Sequence, residues 1–163
     1  MQKVSAMKRL TIATIVLCSG LLTACSSGPV RRVSEPTANI QQLTVRANGS
    51  WSADLRIENF SSIPMRFDNI ALALTVGGES AGTLQAQPAL SIGPESADVA
   101  TVTLKPSPAA RIVIADALVR GRSIAYTLDG TLAAAPEGGG VRSYKIKRDN
   151  TLNPVPGLAG VLR

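Results

Sequence analysis

The chain carries two cysteines, Cys18 and Cys25, and no histidine. Cys25 follows Leu22-Thr23-Ala24, and small residues before a thiol let a peptidase approach the backbone. Of the side chains in this stretch only a thiol can form a thioether. The chemistry open to Cys25 is therefore formation of a thioether, with cleavage of the chain beside the small residues. The remaining candidates offer less. Without histidine the chain lacks the commonest general base and the commonest transition-metal ligand. Asp54 and Glu58 share a strand face, but it is the polar one, where solvated carboxylates lack the shifted pKa values of an acid–base pair. The glycines of "PEGGGV" (136–141) have no Lys-Ser/Thr after them and read as a hairpin loop, not a phosphate cradle. Glu95 and Asp98 flank Ser-Ala and read as a turn, not a cation site. Lys145, Lys147 and Arg148 read as charges guarding an edge strand. The expectation is no enzyme, no metal and no cofactor beyond a covalent group on Cys25.

The residues before Cys25 are consistent with that chemistry. Lys3, Lys8 and Arg9 precede an apolar run, Leu10 to Leu22, and no acid occurs among them. The run falls short of the ~20 apolar residues that span a bilayer. A basic start, a short apolar middle and small residues before a cut describe a secretory signal, here 1–24. Leu22-Thr23-Ala24-Cys25 resembles the bacterial lipobox, and the resemblance implies cleavage just before Cys25 and a covalent diacylglycerol and N-acyl anchor on it. Cys18 lies inside the apolar run and leaves with the signal. The stretch from Met7 is a complete signal by itself, so a start at Met1 or Met7 yields the same mature chain. Ser26, not Asp, follows the cysteine. In the sorting rule that accompanies the lipobox, this implies the outer membrane, periplasmic face.

Loss of the signal removes three of the 17 basic residues and none of the 11 acidic ones, so 14 minus 11 leaves +3 in place of +6. That weakens the case for nucleic-acid binding, which needs a clustered basic footprint in the folded domain. An apolar content of 45% against 17% charged argues for a packed core over a disordered shield. Residues 25–38 carry "SSGPVRRVSEPT" and read as the lipidated terminus and a tether. Its dozen residues reach at most ~40 Å from the lipid. Arg31 and Arg32 are read as solvating it, with contact to anionic headgroups as the alternative.

From Asn39 the apolar period is two. Trp51, Ala53, Leu55 and Ile57 alternate with polar residues, as in a half-buried strand. Leu43, Val45 and Ala47 form a similar face, as do Ile70, Leu72, Leu74 and Val76. Ala100, Val102 and Leu104 follow, then Ile124, Tyr126 and Leu128, then a weaker Tyr144 and Ile146. Trp51 and Tyr126 are expected as core anchors. Short strands punctuated by Gly, Pro and Asn argue for an all-β sandwich. One segment breaks the period: "SPAARIVIADALVRG" reads as a helix with Ile112, Val113, Ala117 and Ala109 on one stripe. Ser107 is its expected cap, Pro108 its first residue and Gly121 its end. The tail, 148–163, holds Pro154 and Pro156 and reads as extended and loosely held, with Leu158, Val161 and Leu162 docking on the sandwich.

The order of these parts resembles the type 2 late-embryogenesis-abundant domain, also called the water-stress and hypersensitive-response domain. "IENFSSIPM" stands where the family has a strand ending in Asn-Pro-Asn and then Pro plus an apolar residue. Asn59, Pro64 and Met65 match, while Phe60-Ser61 replaces Pro-Asn. "SAGTL", "IGPESADVATVTL" and "YTLDGTL" match the later parts, over roughly residues 39–147. The resemblance implies an immunoglobulin-like or fibronectin-III-like sandwich of about seven strands with one short helix. It also implies a role in envelope tolerance of desiccation or osmotic stress. The alternative is a lipid- or protein-binding module, with an apolar groove lined by Ile112, Val113 and Leu118. Expected partners are the membrane through the anchor and an envelope protein or lipid, with no nucleic acid.

Overall fold

In the computed structural model, which describes residues 31–163, the alternation at residues 51–58 becomes a strand with every apolar residue inward. The signal segment 1–24, Cys25 and the tether up to Val30 lie outside the described residues. Nine strands and one helix follow in order: β1 (Thr37–Val45), β2 (Trp51–Asn59), β3 (Met65–Val76), β4 (Glu79–Ala86), β5 (Leu90–Ile92), β6 (Ser96–Leu104), α1 (Pro108–Arg120), β7 (Ile124–Pro136), β8 (Arg142–Leu152) and β9 (Val161–Leu162). The all-β expectation holds. The strand number exceeds about seven because β5 and β9, of three and two residues, are too short to show a period.

Two antiparallel sheets form. One has the order β6-β2-β1-β9, the other β4-β3-β7-β8, with β5 also pairing β3. Trp51, Leu55 and Ile57 of the first sheet and Phe67, Leu72, Leu74 and Leu128 of the second are at most 1% exposed and belong to one core. Both faces of that core come from residues 38–162, which meets the requirement for a domain that folds alone.

The inward face of β1 differs from the expected one. Its register shifts between Ile40 and Gln42, so Ala38, Ile40 and Leu43 are buried while Ala47 lies beyond the strand, exposed. A bulge resets alternation without a sequence signal. It also turns the Ile40 N–H toward the other sheet, where it donates to the Tyr126 hydroxyl at 3.0 Å. Burial pushes the Tyr126 pKa above its ordinary value, so the hydroxyl stays neutral as acceptor.

Helix α1 has the expected caps. The Ser107 hydroxyl accepts from the Ala110 N–H, Pro108 opens the helix, and Gly121 ends it at φ 62°. Its buried stripe shares only Ala117 with the expected one. Ala110, Ile114 and Ala117 face the core, Val113 and Leu118 pack at the margin, and Ile112 is 71% exposed. The segment is apolar in nearly every direction, so periodicity alone cannot choose a face. Tertiary contact chooses it: a Cβ on Gly77, in the β3–β4 turn, would lie 2.6 Å from Val113 Cγ1.

The tail departs most. β8 continues to Leu152, fully buried, beyond residue 147. Asn153 and Arg163 then exchange two backbone hydrogen bonds, Val155 N–H donates to the Val161 carbonyl, and β9 pairs with Leu43 and Thr44 of β1. The chain thus leaves one sheet and folds back onto the other. Pro154 is tolerated because it faces Leu162 between two hydrogen-bonded neighbours, where no donor is needed. Leu162 is buried and Leu158 is half exposed.

Candidate functional site

The strand directions define two poles. At the first lie the starts of β1, β3, β6 and β8 and the ends of β2 and β7. At the second lie α1, the β1–β2 and β3–β4 turns and the C-terminal hairpin.

The first pole holds the entering chain. Asn59, 1% exposed, donates to the carbonyls of Ile63, Ile92 and Gly93 at 2.8–3.2 Å and accepts from the Ser61 N–H. This network fixes the loop after β2. Ser61 and Ser62 then receive the N-terminal segment: Ser34 N–H donates to Ser61 Oγ, and Arg32 N–H to Ser62 Oγ. Arg32 also donates to the Phe60 carbonyl and pairs with Glu95 at 3.0 Å. Arg31 donates to the Glu137 carbonyl at 2.7 Å. Residues 31–36, expected as part of the tether, are therefore fastened to the domain. The two arginines are spent on protein carbonyls and carboxylates. Replacing Asn59 by Ala strands the buried Ile92 carbonyl and removes bonds from the part-buried Ile63 and Gly93 carbonyls, and an expected loss of about 1–3 kcal/mol is readable from the urea midpoint. An unchanged midpoint would show that the loop holds without it.

Beside this clamp is a cleft of about 440 Å³ lined by Arg32, Arg56, Glu58, Phe60 and Glu95 among others. The carboxylates singled out in the sequence are locally paired. Asp54 accepts from Thr101, Glu58 from Arg56 and Thr37, and Glu95 from Arg32. Glu95 and Asp98 do not converge on a common site, and among the described residues no group of three or more metal-ligating side chains exists. "PEGGGV" covers the β7–β8 hairpin connection, and Lys145 and Lys147 are exposed on β8, an edge strand. No described helix is long and apolar enough to cross a membrane.

The second pole carries a larger cleft, about 730 Å³, between the end of α1 and the C-terminal hairpin. Leu118, Val119 and Gly121 form one wall, and residues 154–160 the other. The expected groove of Ile112, Val113 and Leu118 is not assembled. Leu118 lines the cleft, Val113 packs on the Gly77 turn, and Ile112 faces solvent. These residues sit on different sides of the helix, which the misplaced stripe had merged. The tail's share of the cleft had no sequence signal, because hairpin closure depends on contacts with β1. Asp116 receives hydrogen bonds from Arg122 and Arg120, which hold its pKa below the ordinary value and bring the two guanidiniums together on one carboxylate.

The family model for late embryogenesis abundant proteins of the LEA_2 type matches residues 54–150, more than half of the chain. No curated protein matches it in sequence. A protein from Arabidopsis thaliana known from its solution structure is 15% identical, with 78% of this chain and 83% of that one covered and a TM-score of 0.49. A candidate late embryogenesis abundant protein is 16% identical over 94% of this chain and 90% of its own, with a TM-score of 0.48. A protein from Archaeoglobus fulgidus is 11% identical over 76% and 98%, with a TM-score of 0.42. The matched segment takes in both the Asn59 loop and "YTLDGTL", and the chain belongs to the LEA_2 family of late embryogenesis abundant proteins.

Proposed function

We propose that the mature protein is a non-enzymatic lipoprotein, anchored through Cys25 to the outer membrane on its periplasmic side, that helps the envelope tolerate desiccation and osmotic stress. An immunoglobulin-like or fibronectin-III-like class for the two-sheet domain belongs to this reading. The family supports the stress role. The observation that carries the anchoring is the placing of Cys25, after Leu22-Thr23-Ala24, six residues before a segment clamped to one pole. Two acyl chains or more give stable attachment where one gives only marginal binding. A folded, fairly apolar domain cannot act as a hydrophilic disordered shield. Protection then comes from a tethered surface or from holding partly unfolded clients.

A deletion strain tests this. Survival of drying is expected to fall, to be restored by the wild-type chain, and not by Cys25→Ala, which leaves an unprocessed or mislocalised precursor. Equal rescue by both would remove anchoring from the function. The second reading, a lipid- or protein-binding module, is favoured by the cleft at Leu118.

A further inference from the structure

We infer that the second pole is a docking surface for a protein segment that carries apolar side chains and carboxylates. This rests on the anchored reading only for its orientation. Cys25 to Arg31 is six residues, a reach of at most ~20 Å. The clamp at Arg32 and Ser34 therefore keeps the first pole near the lipid. The twelve residues of β3 span ~40 Å between the poles, so the second pole stands clear of the bilayer that holds the anchor.

That pole is apolar where it meets water. Val119 is 88% exposed and Leu158 50%, both lining the 730 Å³ cleft, and Ile112, 71% exposed, lies on another side of α1. It is also basic. Arg46, Lys105, Arg111, Arg120 and Arg122 lie on α1 and the flanking turns, against Glu79 and Asp116. The first pole shows no such excess: Arg31, Arg32, Arg56 and Arg66 pair with Glu137, Glu95, Glu58 and Asp68, and Arg142 at the start of β8 is offset by Glu35 of the entering segment. Excess positive charge opposes the meeting of two such poles, which disfavours a second copy of the chain. It favours a partner whose carboxylates meet the arginines while its apolar side chains enter the cleft. The arginines flanking Gly121 are already fixed by Asp116, which lowers the ordering cost of binding.

The test uses the mature chain, residues 25–163, with Cys25→Ser, so its outcome does not depend on acylation. The ¹⁵N-labelled chain is titrated with two peptides of identical leucine content, one bearing glutamates and one lysines. Amide shifts are expected at residues 118–121 and 155–160. The acidic peptide is expected to bind about tenfold tighter, the sum of several exposed charge pairs, with the preference fading in salt. Val119→Asp, at an exposed position, is expected to keep the fold and lose the shifts. Equal affinity for both peptides, shifts elsewhere, or retention of binding by Val119→Asp would overturn the inference. So would sedimentation as a dimer that Val119→Asp dissolves, or binding of the non-acylated chain to anionic vesicles through Val119.

Discussion

Leu55→Asp is expected to unfold the domain, while Arg56→Asp, one residue on, leaves melting nearly unchanged. Leu55 is fully buried at the centre of β2, between Ile40 of β1 and Ala100 of β6. A carboxylate there has no partner, and burying it costs several kcal/mol, comparable with a total stability of about 5–15 kcal/mol. Arg56 is exposed. Its loss removes an ion pair with Glu58 at 3.0 Å and sets a third carboxylate between Asp54 and Glu58 on the solvent-facing side, an effect of about 1 kcal/mol or less. Circular-dichroism melts of the two variants check this. Equal effects would refute the assigned faces of β2.

Gly130→Ala is the second large effect. Gly130 is the glycine of "YTLDGTL", on β7 opposite Leu72 of β3. A Cβ added there would lie 2.1 Å from the Ala71 carbonyl oxygen, an atom of the neighbouring strand that cannot swing aside. The strands would have to part, and a loss of about 3 kcal/mol or more is expected, at or above the usual range for overpacking. Gly140→Ala is the control. A Cβ there meets nothing within 4 Å, and a change within about 0.5 kcal/mol is expected. The urea midpoints of both variants decide it. A shift no larger at Gly130 than at Gly140 would mean that close strand approach is not what demands this glycine.

These two cases show where the sequence was legible. β2 was readable because one of its faces is buried and the other wet, so burial imposes a period of two on residues 51–58. The caps of α1 were readable because Ser107, Pro108 and Gly121 each act through local backbone geometry. The buried face of α1 was not. Ile112 and Ile114 are the same residue type two positions apart, and only packing against the core, where Ile114 is buried and Ile112 is not, distinguishes them. The β1 bulge and the C-terminal hairpin were hidden for the same reason, since both are fixed by partners distant in sequence. At the first pole, Asn59 stood out as a motif residue. Its grip on three carbonyls, and the fastening of Ser34 and Arg32 to the following serines, arises only once β2, β5 and the N-terminal segment meet.

Anchoring depends on Cys25, six positions before Arg31, where the fastened segment begins. The intact mass of the protein extracted from membranes tests it directly. The predicted result is a chain that begins at Cys25, with the mass of residues 25–163 plus diacylglycerol and an N-linked acyl group, and that partitions into detergent. A chain of unmodified mass, or one that still carries the residues before Cys25, would contradict it.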